Sequence, residues 1–239
     1  AVFDFTKSLG FTDSTLTSKN ALIPVIYYIY HRKIYKDFHT KSEYSADREI
    51  IKKWLHVALV KRLFGGTSDS VLNQIRKAFT DNVVKSPISE NTSAFPVKDI
   101  NKEIRKDTGI SDEFIEELLL TQKDDRYAFS LLALLFPQLD YKNNDFHKDH
   151  LHPASKYEEL SEDDKEKHGW QTYNSLKNLQ MLDANENMSK NDEDLESWVD
   201  KELKSKQRTA FLDSHHIPDV SLTLAYFYNF TTKRSEILT

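Results

Sequence analysis

Apolar residues recur at three- and four-residue spacings from about Asn20 to Phe136, which predicts a mainly helical protein. One helix should begin near Asn20, carry Pro24 in its first turn and run through Ile26, Ile29 and Tyr30. A second opens at Ser45, places Asp47 and Glu49 at its positive end, buries Ile50, Ile51, Leu55, Ala58, Leu59 and Leu63, and stops at Gly65-Gly66. Trp54 belongs to its core face. Asp69 or Ser70 starts a helix through Leu72, Ile75 and Phe79, Ser111 caps one holding Phe114, Ile115, Leu118 and Leu119, and an apolar stretch runs from Tyr127 to Phe136. The Ser-, Thr-, Asn- and Pro-rich segment from Thr80 to Phe95 reads as a loop between two lobes. From Asp140 the composition turns to Asn, Asp, His and Lys, and helical periodicity lapses until about Ser161. Within that region Phe146 to Leu151 alternates as a strand does, and Leu179 to Leu182 could be its antiparallel partner, with a helix following from about Asn185. Leu195 to Lys204 and Val220 to Leu238 then read as closing helices. The expected division is a helical domain over 1–139, a small α+β module over 140–198, and helices over 199–239 that pack back on the helical domain.

Composition narrows the classes. A chain of 239 residues with 38% hydrophobic content can build a substantial core. Its longest apolar runs fall short of the ~20 residues that a bilayer span needs, so no membrane partner is expected. Cysteine is absent, which excludes disulfides and thiolate zinc sites and leaves oxygen and imidazole as the only metal ligands. A formal charge of -5 argues against a uniformly basic surface, so binding to nucleic acid would need a local basic face; Lys201, Lys204, Lys206 and Arg208, with Lys233 and Arg234, are the candidates, against the plainer reading of a solvated helix surface. The chain opens at Ala1-Val2-Phe3 without an initiator methionine, as a processed product or fragment would. Gly65-Gly66-Thr67-Ser68 lacks the Lys-Ser/Thr ending of a phosphate loop.

The chemistry gathers between Phe146 and Lys190. His147, His150 and His152 fall within six residues beside Asp149, the composition needed to hold a divalent cation and deprotonate a water. A strand, strand, helix unit would bring Asp149 and Asn187 together despite their distance in sequence, with His150 on the other side of a bound phosphate. An ion held by so few oxygens keeps several waters, as magnesium does. His-x-x-His-x-His alone is equally compatible with a zinc hydrolase that uses two or three imidazoles as ligands. His31, His39, His56, His168, His215 and His216 read as surface or capping residues.

In register as well as in letters, Asp149-His150-Leu151-His152-Pro153, Asn178-Leu179-Gln180-Met181-Leu182 and Asn187-Met188-Ser189-Lys190 resemble the HNH nucleases of the ββα-metal fold. The resemblance implies that His150 is the general base, that Asp149 and Asn187 bind the metal, that Asn178 braces the loop, and that Lys190 contacts phosphate, a solvated helix lysine being the alternative. His152 would have an auxiliary catalytic role, orienting the site or touching phosphate. Where many members carry zinc-binding cysteines this chain has Asp183 and Glu186, so the implied cofactor is Mg²⁺, or Mn²⁺, without structural zinc. More broadly the chain is similar to the carboxy-terminal part of GmrSD-type, type IV restriction proteins, with a final aromatic helix resembling Phe230 to Leu238. That similarity implies cleavage of modified phage DNA, a cytoplasmic prokaryotic setting, and a ParB-like nucleotide-binding domain outside this chain. The competing class is a non-catalytic DNA-binding or assembly module that retains the fold.

Overall fold

A computed structural model of the chain describes residues 1–80 and 92–239. It is mainly helical with a small two-stranded antiparallel sheet. The chain divides into two compact units, residues 1–109 with 140–143, and residues 110–139 with 144–239. The loop expected from Thr80 to Phe95 lies mostly outside the described residues.

The first unit contains α1 (Val2–Ser8), α2 (Leu22–His31), α3 (Ser45–Val60), α4 (Ser68–Thr80) and α5 (Val97–Glu103). A short 3-10 turn over Lys19–Ala21 leads into α2, and Pro24 sits in its first turn, where a missing N–H leaves no hydrogen bond unmade. Phe5, Tyr28, Phe38, Ile51, Leu55, Ile75 and Phe79 are all buried, and Trp54 joins them. Asp47, expected only to favour the helix dipole, is itself buried. It accepts from Tyr28 Oη at 2.6 Å, from Arg32 Nη1 at 3.1 Å and from the Phe95 amide at 3.0 Å, so its charge is satisfied inside the unit. His56 also departs from expectation: it is fully buried against Phe11, and burial pushes its pKa down to about 4.

The helix stops are a second difference. Gly65-Gly66 was the expected end of α3, but the helix closes at Arg62, which takes φ 51°. Leu63 N donates to Ala58 O and Arg62 N to Leu59 O, each at 3.0 Å, the pairing of a Schellman cap. Lys33 (φ 57°) closes α2 in the same way, with Ile34 N on Ile29 O at 3.2 Å and Lys33 N on Tyr30 O at 3.0 Å. The apolar residue that follows each, Ile34 or Leu63, is buried and anchors the cap.

The second unit holds α6 (Asp112–Leu119), capped by Ser111 Oγ as expected, and α7 (Ala128–Leu135). Strand β1 (Phe146–His150) follows, then α8 (Glu162–Tyr173), β2 (Leu179–Asp183), α9 (Ala184–Lys190), α10 (Leu195–Glu202), α11 (Arg208–Ser214) and α12 (Phe227–Leu238). Helix α8 breaks at Gly169, whose φ of 55° and ψ of 174° are open to glycine. The strands pair antiparallel in the register Asp149 opposite Gln180 and His150 opposite Leu179.

The boundary at 139 therefore moves. Residues 110–139 belong with the sheet because Gln122 bridges to Ser175, Lys123 N donates to Asn174 O and Leu176 N donates to Thr121 O. The closing helices complete this unit's core: Trp198, Val199, Phe211, Leu212, Phe227 and Phe230 pack with Leu151, Tyr173 and Leu182. α11 was not anticipated, and α12 begins at Phe227 rather than Val220. Arg234, expected on a basic face, is fully buried; Nη1 donates to Leu176 O, Nη2 to Leu179 O and Nε to His216 O, at 2.7 to 2.9 Å. Its guanidinium satisfies carbonyls around the start of β2. No described helix is long and apolar enough to cross a membrane.

Candidate active site

Consecutive residues of a strand project to opposite faces, and directly paired residues of an antiparallel ladder share one. The register therefore places His147, Asp149, Gln180 and Leu182 on one face, and Lys148, His150, Leu179 and Met181 on the other. Helix α9 follows β2 after the Asp183 cap, whose side chain accepts from Asn185 N at 2.9 Å. It lies against the first face, where Asn187 Nδ2 meets His147 Nδ1 at 3.1 Å and Lys190 Nζ meets Asp149 Oδ2 at 3.1 Å.

Asp149 is buried, and its contacts with Lys190 and with Gln180 Nε2, which donates at 2.9 Å, both fall on Oδ2. Gln180 in turn accepts from His215 Nδ1 at 2.8 Å through its Oε1. Lys190 is neither a solvated helix lysine nor exposed to a ligand. Its side chain is fully buried, it donates to His150 O at 2.7 Å, and its ammonium lies 5.6 Å from the centre of the Trp198 ring. Burial pulls its pKa down against the opposing pull of Asp149.

On the opposite face His150 is buried, and its Nε2 meets Asn174 Oδ1 at 2.8 Å. Burial first, and the nearby Lys123 charge second, hold its pKa below the usual histidine value, which favours the neutral ring near pH 7. Lys148 donates to the Lys123 carbonyl beside it. Asn178 is wholly buried and ties down the segment leaving β1: Oδ1 accepts from His152 N at 2.9 Å, while Nδ2 donates to His152 O and Tyr173 O at 3.0 Å.

His152 does not reach the same space as His150. Its ring is buried edge-on against Phe227 and Phe230, with centroids at 5.5 and 4.8 Å, and burial drives its pKa down to about 3. A phosphate contact from this imidazole is not compatible with that packing, and its place is structural. The three clustered histidines thus go to three different surroundings: His147 to Asn187, His150 to Asn174 and His152 to the aromatic core. They do not converge as a set of zinc ligands, and no described group of three His, Asp or Glu residues does so either.

Asp149 and Asn187 share a face, and His150 leaves the strand one residue later on the other. Gln180, Asn174, Gln122 and Lys123 surround these groups without having been singled out in the sequence, and His215, expected as a surface or capping residue, instead packs against Trp198 and Phe211 and bonds Gln180. Only Gln180 carried a readable signal, because pairing the two strands puts it opposite Asp149. The expected basic face is largely neutralised: Lys201 pairs with Glu193, Lys206 with Glu186 and Glu202, Arg208 with Asp219, and Lys233 with Glu236. No protein-family model matches the chain, and no curated protein matches it.

Proposed function

We propose that the chain is a metal-dependent endonuclease of the HNH type that hydrolyses DNA phosphodiester bonds. The observation that carries this reading is the antiparallel pair β1–β2 followed by α9, in which Asp149 shares a strand face with His147, the partner of Asn187, and His150 follows on the other face. A ligand lying along the edge of β1 could touch residues from both faces of that strand, and an extended phosphate backbone has that shape. The donors on the α9 side, a carboxylate whose Oδ1 takes no hydrogen bond from described residues and a side-chain amide, suit a weakly held hard cation. Such an ion, Mg²⁺ or Mn²⁺, would be held by Asp149 and Asn187 and would neutralise charge on the scissile phosphate. His150, neutral near pH 7, takes the proton from the attacking water. Lys123, close enough to depress His150, supplies positive charge for the phosphate on that face. Modified phage DNA as the substrate, and a ParB-like nucleotide-binding partner domain, rest on the similarity to GmrSD-type restriction proteins.

One observation favours a second reading, a non-catalytic DNA-binding or assembly module. Asp149 is already neutralised by Lys190, as a purely structural carboxylate would be. Nicking of supercoiled plasmid separates the two. The nuclease reading expects relaxation with Mg²⁺ or Mn²⁺ and a loss of about 10²- to 10⁴-fold in His150→Ala with an unchanged circular dichroism spectrum. No cleavage by the wild type at high protein concentration would reject it.

A further inference from the structure

Imidazole can serve as a base only through the ring nitrogen that carries no proton, so the tautomer of His150 decides which nitrogen faces water. A chain of amides fixes it. Gln122 Nε2 donates to two backbone carbonyls, Leu120 O at 2.8 Å and Gln171 O at 2.7 Å. A carbonyl oxygen can only accept, so the Gln122 amide cannot be turned the other way, and its Oε1 must point at Asn174. Asn174 Nδ2 donates to that oxygen at 3.3 Å, which fixes the second amide and leaves Asn174 Oδ1 facing His150 Nε2 at 2.8 Å. An amide oxygen again only accepts, so Nε2 carries the proton and Nδ1 keeps the lone pair. Nδ1 has no hydrogen-bond partner among the described residues.

We infer that Asn174 and Gln122 are positioning residues: together they hold His150 as the Nε2–H tautomer and aim a basic Nδ1 at the reacting water. The backbone supports this placement. Asn174 is buried at the end of α8, its carbonyl accepts from Lys123 N at 2.9 Å, and its neighbour Ser175 bridges to Gln122, so both amides are pinned by strand-like pairing rather than by side-chain packing alone. The inference rests on the nuclease reading for its purpose but not for its geometry.

The test is ring-¹⁵N NMR of histidine-labelled protein at a fixed pH at which His150 is neutral, its resonances assigned by their loss in His150→Gln. The wild type should show Nε2 protonated and Nδ1 bare. Asn174→Leu removes the acceptor and should give a mixture of tautomers, with kcat for nicking reduced about 10- to 100-fold and KM little changed. Asn174→Asp restores an acceptor and should restore the Nε2–H form. Gln122→Leu frees the Asn174 amide to turn and should shift the tautomer in the same direction as Asn174→Leu, which keeps the test available if that variant folds poorly. An Nδ1–H form in the wild type, or a tautomer unmoved by both Asn174→Leu and Gln122→Leu, would overturn the inference. If the tautomer behaves as stated and the wild type nicks no DNA, the nuclease reading fails and the amide chain stands.

Discussion

The Asp149–Lys190 pair complicates the most obvious experiment on this chain. The ammonium is fully buried and the carboxylate nearly so, with side-chain exposures of 0% and 11%. Removing one partner of a buried pair leaves the other charge without compensation, typically at a cost of about 3–5 kcal/mol. Asp149→Ala should therefore lower the unfolding free energy by that order while it removes the proposed metal ligand, and lost activity alone would not identify the role of the carboxylate. Lys190→Met should be destabilising as well, since it strips Asp149 and the His150 carbonyl of a donor. The double variant should recover most of the loss of Asp149→Ala, because neither charge remains. A double-mutant cycle by urea unfolding reads the coupling, and additive single effects would show that the two groups do not form an energetic unit.

At the level of elements, glycine scarcity explains how the helices end. The chain has five glycines in 239 residues, and helix stops that usually use one fall on Lys33 and Arg62. A side chain in the left-handed region costs roughly 1–2 kcal/mol, partly offset by the greater freedom that glycine has in the unfolded chain. Lys33→Gly and Arg62→Gly should each raise stability by about 0.5–1 kcal/mol, read as a higher urea midpoint at unchanged slope. A fall in midpoint for both would mean that the side chains contribute more than their backbone strain costs. The same positions show what the sequence could convey. The periodicity of Ile51, Leu55 and Leu59 and the Ser111 cap are local signals, and α3 and α6 follow from them. A stop at Arg62 is set by the burial of Leu63, a tertiary fact without a local mark. The strand, strand, helix order was read from the short segments Phe146 to Leu151 and Leu179 to Leu182 and a helix expected from about Asn185, although Leu179 to Leu182 is buried throughout rather than alternating. The amides around His150 were not, since Gln122 and Asn174 lie 52 positions apart and look like any polar residues of a helix end.

Across the whole molecule, histidine burial sets the response to acid. His56 in the first unit and His152 and His215 in the second have pKa values pushed by burial from the ordinary 6.5 to about 4, about 3 and about 4. The native protein keeps these rings neutral while the unfolded chain protonates them, so unfolding takes up protons below pH 6.5. The sign follows: their contribution is fully present above about pH 6.5 and is lost as pH falls toward each native value. For a ring as deeply depressed as His152, the loss between pH 7 and pH 5 amounts to about 2 kcal/mol, given 1.36 kcal/mol per pH unit for each proton. Carboxylates contribute little in this window, because their ordinary values lie near 4. Replacing His152 by Leu keeps an apolar group between Phe227 and Phe230 and removes the titrating ring. Urea unfolding of the wild type and His152→Leu at pH 7 and pH 5 should show a pH slope shallower by nearly one proton in the variant. Identical slopes would mean that this ring takes up a proton in the native state, and that the aromatic cage around it opens as the pH falls.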